Sequence, residues 1–180
     1  MSLPNKQCVK ENYDELGGKL YNVRYIQEQN SKYDAALVLT LPKDEEIILD
    51  DGCGTGLLLK RLDTTSVGLD LTPALLREAK KSLKAKCHLV LGDAEHLPFR
   101  DNIFDIVYAV TLLQNIPNLL GCLKEIKRIS KSGGRILSTA LKAAFTVEVF
   151  YRLLENAGFI KYDIIGDAGT NDWIAYADNL

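Results

Sequence analysis

Short apolar runs alternate with helical periodicity through most of this chain. Runs rich in Val, Ile and Leu occupy positions 46–51, 66–70, 87–91, 103–110 and 134–140, and segments with apolar residues three or four apart separate them. Strands with helical crossovers between them pair in parallel, with helices on both faces of one sheet, which makes the fold class α/β. Two further runs, 160–165 and 172–177, are joined only by DAGT, too short for a crossover helix, so this last pair is antiparallel. Ahead of the first strand, Leu20, Val23, Ile26, Ala36, Leu37 and Leu41 follow helical spacing until Pro42 stops it. Gly17 and Gly18 separate that helix from the preceding KENYDEL, as a hinge would, and Tyr13, Tyr21, Arg24, Tyr25 and Glu28 gather around the break. The pattern predicts a helical lid over 1–42 and a core over 43–180, together one domain spanning 1–180. With 180 residues, 47% of them hydrophobic, such a domain buries about 70% of its unfolded surface.

The densest chemical signal is IILDDGCGTG, from Ile47 to Gly56. A strand runs into Gly52, Gly54 and Gly56 at alternate positions, and LLLKRL then reads as a helix opening near Thr55. Glycines there let the backbone approach a ligand, and the free N–H groups of a helix start face the same ligand. This is a loop for a nucleotide-type cofactor. A dinucleotide fold requires GxGxxG, and the third glycine position is Leu57; a phosphate-cradling loop requires Lys then Ser or Thr after the glycine, and Gly56 is followed by Leu57.

These residues resemble motif I of the class I S-adenosylmethionine-dependent methyltransferases, an acid and any residue followed by GxGxG. Two further segments carry the resemblance. VGLDLTP, Val67 to Pro73, reads as a strand ending in Asp70, with Thr72 and Pro73 opening a helix. LGDAEHLPFRDNIFDIVYAV, Leu91 to Val110, is similar to the GDAxxLPF and FDxV segments of the ubiquinone-type and type 11 subgroup. The resemblance covers roughly Ile47 to Thr139 and implies a Rossmann-like sheet of seven strands in the order 3-2-1-4-5-7-6. It implies S-adenosylmethionine as cofactor and S-adenosylhomocysteine as product, with methionine near Asp50 and Gly52, ribose on Asp70, and adenine between Leu71 and the Asp93 to Leu97 loop. Asp93 would hold the adenine amino group and the Ala94 backbone would meet the ring. The methyl would lie near Ala109, Val110 and Thr111. Gly54 and Gly56 complete the loop, Cys53 fills space within it, and Arg24 or a lid tyrosine would meet the cofactor carboxylate. An acceptor that must lose a proton would be oriented by Tyr21, Tyr25, Gln114 or Asn115. The sequence departs from the family at Asp51, usually apolar, which sets a second carboxylate beside Asp50 and leaves one of the two apart from the cofactor. Gln114 and Asn115 stand where many relatives carry histidines, so no histidine base carries over.

Charge and cysteine content narrow the partners. A net charge of −2 gives no global attraction to nucleic acid or anionic membranes. Arg77, Lys80, Lys81 and Lys84 on one helix, and Lys124, Lys127, Arg128 and Lys131 on another, read as solvated helix faces rather than an RNA surface. The opening MSLPNKQ has no apolar signal region and no run of about eighteen apolar residues occurs, so the expectation is a cytoplasmic protein away from membranes. Cys8, Cys53, Cys87 and Cys122 never form CxxC, and His88 and His96 stand apart, so no metal is expected. If the third strand is the sheet edge, CHLVL from Cys87 to Leu91 offers apolar side chains and unpaired backbone groups to a small protein partner. Two other readings remain: a S-adenosylmethionine-binding regulatory or scaffold subunit without catalysis, and a nicotinamide-dependent oxidoreductase, which Leu57 and GDAEHLPF disfavour. The acceptor itself is not legible.

Overall fold

The computed structural model describes residues 5–180. Its centre is a seven-stranded sheet of β1 (Ile48–Asp51), β2 (Ser66–Asp70), β3 (Cys87–Leu91), β4 (Phe104–Ala109), β5 (Ser130–Leu141), β6 (Lys161–Ile165) and β7 (Asp172–Asp178), ordered 3-2-1-4-5-7-6. The first five strands pair in parallel; β7 runs antiparallel to both β5 and β6, as the short connection requires. Alternation along the strands supplies two cores. Leu49, Val107 and Ala109 pack with Leu123 and Ile126 of α3 (Leu119–Ile129) and Phe150 and Leu154 of α4 (Val147–Asn156). Ile48, Ile106 and Tyr108 pack on the opposite face with Tyr33 and Ala36 of α1 (Lys6–Thr40) and with Leu58 and Leu59. No described helix is long and apolar enough to cross a membrane.

Helix α1 differs from its pattern in an instructive way. The break falls at Gly17, whose φ of 67° and ψ of 157° kink one long helix, and Gly18 lies so close to Glu78 of α2 (Pro73–Ala79) that a Cβ would overlap that side chain. Four of the six apolar residues that announced the helix face outward: Leu20, Val23, Ile26 and Leu41 are 61%, 80%, 43% and 71% exposed. The buried face carries Gln29, Lys32, Tyr33, Ala36 and Thr40. Polar groups can be buried when they are partnered, and here they are. Lys32, fully buried, places its ammonium 3.0 Å from Asp172 Oδ1, 2.8 Å from Glu28 Oε1 and 3.1 Å from Thr111 Oγ1. The Thr40 and Tyr108 hydroxyls share a hydrogen bond of 2.5 Å.

Three local expectations are corrected. The LLLKRL segment forms turns and one 3-10 turn at Leu59–Arg61 instead of a helix from Thr55. Gly56 adopts φ 72°, and Leu57, Leu58 and Leu59 are all buried, so the run fills a core and has no polar face to expose as a helix. Helix α2 ends at Ala79, leaving Lys84 beyond it, and Lys131 falls on β5, so neither basic run is a single helix face. Strand β5 begins at Ser130, ahead of Gly133 and Gly134. Its pairing jumps from Phe104↔Ser130 to Ile106↔Arg135, and a bulge with Gly133 at φ 75° absorbs the extra residues.

Removing one member of a buried ion pair leaves the other charge unpaired. Lys32→Met is therefore expected to lower unfolding free energy by about 3–5 kcal/mol in urea titration, and adding Asp172→Asn should recover part of that loss. A stability of Lys32→Met within about 1 kcal/mol of the native chain would show that the Asp172 charge is compensated elsewhere.

Candidate active site

The sheet reverses its winding between β1 and β4, and ligands of α/β folds bind beyond the strand ends at such a point. A cleft opens there, with its floor formed by the ends of β1, β2 and β4 and its roof by α1. Asp70 ends β2 inside this cleft, and its two oxygens accept different backbone N–H groups: Oδ2 from Gly54 and Oδ1 from Thr72, each at 2.8 Å. The second bond satisfies the start of α2 in place of the Thr72 side chain, which makes no capping bond. Each carboxylate oxygen has further acceptor capacity. The glycine turn lies just above. Gly54, at φ 53°, would bring a Cβ to 3.4 Å from the Tyr21 hydroxyl, and Gly52, at φ 80°, would bring one to 2.9 Å from Leu112 Cδ1.

On the far side, Asp93 and Ala94 follow β3. Burial alone would push the Asp93 carboxyl up, but hydrogen bonds from the Lys6 ammonium, at 2.7 Å, and the Glu95 N–H, at 3.0 Å, hold it below the usual carboxylate range. Lys6 also lies 2.9 Å from Glu95 Oε2, so the first turn of α1 is pinned to the loop after β3. Two more ties hold the roof down: Asp14 Oδ1 accepts from the Ala74 N–H at 3.2 Å, and Asn22 Oδ1 accepts from the Thr55 hydroxyl at 2.5 Å.

Beyond β4, Thr111 takes the left-handed region at φ 59°. Its N–H donates to Thr139 Oγ1 at 2.9 Å, and Thr139 in turn donates to Asp172 Oδ2 at 2.8 Å. Its carbonyl accepts from Gln114 Nε2 at 3.0 Å and Asn115 Nδ2 at 3.4 Å, and its hydroxyl lies 3.2 Å from the Gln29 amide. Strain in a non-glycine residue persists only where the surroundings over-determine it, and this network does so. The roof contributes Tyr13, Tyr21 and Tyr25 in a row, with ring centroids 5.9 and 5.1 Å apart. Burial, then the neighbouring Tyr13, Asp70 and Asp50, push the Tyr21 hydroxyl well above its ordinary value. Tyr21 is thus a neutral hydrogen-bond donor, and a poor proton acceptor at neutral pH.

Most of the residues expected in the cleft wall are found there: Gly52, Gly54, Asp70, Leu71, Asp93, Ala94, Val110 and Thr111, with Tyr21, Tyr25 and Asn115. Others stand behind the wall. Asp50 and Asp51 point to opposite faces of β1, and it is Asp51 that lines the cleft; Asp50 is buried on the side of Tyr33 and Tyr21, where burial and Asp70 push it up to about 8. Cys53 is buried under the loop, with its sulfur packed where a side chain on Gly68 would come within 2.7 Å, and burial pushes its thiol up, away from nucleophilic chemistry. Gly56 packs toward Leu83 and Ala79, and Ala109 is sealed in the core. Gln114 acts behind Thr111, and Arg24 stacks on Tyr25 at 5.4 Å in a neighbouring groove. Lys6, Lys10 and Gln29 line the cleft without having been singled out. Nothing in their local spacing distinguishes them from other polar residues of a helix.

The glycine cradle, the Asp70 carboxylate and the buried Asp51 oxygens, which have no hydrogen-bond partner, fit an adenosyl cofactor carrying ribose hydroxyls and positive charge. Comparison with known proteins agrees. The family described as Methyltransferase domain, the type 11 group, matches residues 49–138. An uncharacterized protein of Methanocaldococcus jannaschii is 34% identical over 74% of this chain and 52% of its own length. A malonyl-[acyl-carrier protein] O-methyltransferase of Erwinia pyrifoliae is 31% identical over 81% of this chain and 55% of its own. The chain thus spans about half the length of these curated relatives. Among solved structures, the methyltransferase chain of the complex with the Haloferax volcanii Trm112 methyltransferase activator superposes with a TM-score of 0.80 at 17% identity, over 92% of this chain and 96% of that one. With half of its residues inside the matched family and the strand order that goes with it, this chain belongs to the class I S-adenosylmethionine-dependent methyltransferases of the type 11 group.

Proposed function

We propose that this chain binds S-adenosylmethionine in the cleft and transfers its methyl group to an acceptor seated between the end of β4 and α1. The observation that carries this reading is Asp70: a buried carboxylate at the end of β2 that holds the glycine turn through Gly54 and keeps acceptor capacity toward the cleft. The cofactor supplies an activated methyl on sulfonium, and the protein supplies position and a dry site. Asp70 binds the ribose, Gly52 and Gly54 admit the methionine portion against the backbone, and Asp93 with Ala94 meets the adenine. Thr111 and Val110 shape the floor where the acceptor enters. Tyr21, Tyr25 and Asn115 are placed to orient the acceptor, Tyr21 as a donor. Gln114 serves by fixing the Thr111 carbonyl.

The acceptor is a small compound or a macromolecule presented by a partner. Bulk RNA is disfavoured by the net charge of −2 and because four of the eight cations of the basic segments are already paired: Lys81 with Glu78, Lys84 with Asp63, Arg128 with Glu125 and Asp101, and Lys131 with Asp105. The edge strand β3 pairs only with β2 and exposes Leu91 at 60%, which suits a small protein partner adding to the sheet. That a similar fold has been solved with a methyltransferase activator supports the same idea. Four unpaired thiols suit a reducing, cytoplasmic setting.

Asp70→Ala is expected to weaken S-adenosylmethionine binding roughly 10-fold to 150-fold by calorimetry, the equivalent of about 1.5–3 kcal/mol. A loss under about threefold would remove Asp70 from the ribose. Gly54→Val should abolish binding, since valine strongly disfavours φ 53° and would press on Tyr21. Amide exchange in residues 10–30 should slow when S-adenosylhomocysteine is added, because ligand contact with the roof raises its local opening free energy. Equal exchange with and without ligand would leave the tyrosines of α1 as packing alone.

A further inference from the structure

Three carboxyl groups line the cleft, and two of them are engaged. Asp70 takes two backbone N–H groups, and Asp93 takes the Lys6 ammonium and the Glu95 N–H. Among the described residues Asp51 has no hydrogen-bond partner on either oxygen, although it is fully buried. Among the described residues no free lysine lines the cleft: Lys6 is held by Asp93 and Glu95, and Lys10 by Asp14 at 2.8 Å. A buried carboxyl without a partner is costly, and Asp51 belongs to the wall of the cleft where a ligand is expected. The rings of Tyr13 and Tyr21, packed edge to face, also line the cleft, and aromatic ring faces attract positive charge.

We propose that Asp51 is a charge-selective element: its carboxyl meets the positive charge of the sulfonium, so that the cleft holds S-adenosylmethionine more tightly than S-adenosylhomocysteine. The inference rests on the reading of the cleft given above. The two ligands share adenosine, the α-ammonium and the carboxylate, and differ in the sulfur-bound methyl and its charge. Preference between them therefore isolates what the sulfonium contributes.

The protonation of Asp51 follows. The titratable groups around it are Asp50, on the opposite face of its own strand, Asp70 from β2, Asp93 after β3, Cys122 from α3, and Lys6, Lys10, Tyr13, Tyr21 and Tyr25 from α1. Burial, then Asp50, Asp70 and Asp93, push the Asp51 carboxyl well above the usual range, which favours its neutral form when no cation faces it. Asp51 gives up one proton to solvent when the positively charged ligand binds, and takes one back once that charge is gone. Affinity for S-adenosylmethionine should accordingly rise with pH until Asp51 ionises unaided, while affinity for S-adenosylhomocysteine lacks this slope. A raised carboxyl also means that the native state holds a proton the unfolded chain has lost, so the empty protein should lose stability as pH climbs from about 4 toward neutrality.

Calorimetry with both ligands, on the native chain, Asp51→Asn and Asp51→Val, in two buffers of different ionisation enthalpy, tests the proposal. The native chain should prefer S-adenosylmethionine by roughly tenfold or more and release about one proton on binding it. Both variants should lose that preference and the proton release, while binding of S-adenosylhomocysteine stays within about threefold. Equal weakening toward both ligands would put Asp51 on the adenosine or the ammonium and overturn charge selection, as would unchanged binding of both. If the native chain binds neither ligand, the methyltransferase reading falls with it, an outcome distinct from losing the Asp51 preference alone.

Discussion

The Asp70 carboxylate is the constraint on which the site depends. One side chain joins three pieces of chain that the sequence keeps apart: the glycine turn after β1, the end of β2 and the first turn of α2. A turn with Gly52 and Gly54 both in the left-handed region has little intrinsic preference for one shape, because glycine loses more conformational freedom on folding than any other residue. A charge-assisted bond to the Gly54 N–H fixes it, and such bonds are roughly twice as strong as neutral ones. The same carboxylate keeps acceptor capacity toward the cleft. Loop shape and ligand recognition are thus coupled through a single group, and neither can be altered without the other.

Around that centre, the roof is held by polar contacts where a greasy seam was expected. Lys6, Asp14, Asn22, Gln29 and Lys32 each reach a partner on the core, so α1 sits over the cleft through discrete bonds with definite geometry. Hydrophobic burial is non-directional, and a helix held by it alone could slide. Directional contacts fix where Tyr13, Tyr21 and Tyr25 stand above the strand ends. They also leave Leu20 and Val23 in solvent, an arrangement that amphipathic periodicity would place the other way round.

How much of this was legible follows from which physical terms are local. Strand positions and the antiparallel last pair could be read because apolar runs and loop lengths are sequence properties, whereas strand order came only with the family resemblance of the three motif segments, which also located the cleft. The orientation of α1 could not, since burial of Lys32 depends on Asp172, which lies far along the chain and on the last strand. The segment after Gly56 was misread for a related reason: three consecutive leucines satisfy a helical pattern and a core plug equally, and only the tertiary surroundings decide. The Asp50 and Asp51 pair shows the limit most sharply. Which of two adjacent carboxyls meets the cleft is set by strand register, where a shift of one residue exchanges the faces.

Neighbouring carboxyls in a core work against folding, and this chain carries two in sequence with Asp70 close by. Sequences that specify a structure tend to satisfy every local rule, and the exceptions cluster where function needs them. An apolar residue at position 51 would pack under the floor at no electrostatic cost. Among the described residues nothing partners the carboxyl there, whereas the equally buried Lys32 and Asp172 lie 3.0 Å apart and compensate each other. That contrast separates two kinds of buried ionisable group in one small domain: a closed pair that orients structural elements, and a carboxyl in the cleft wall that a cationic ligand would complete.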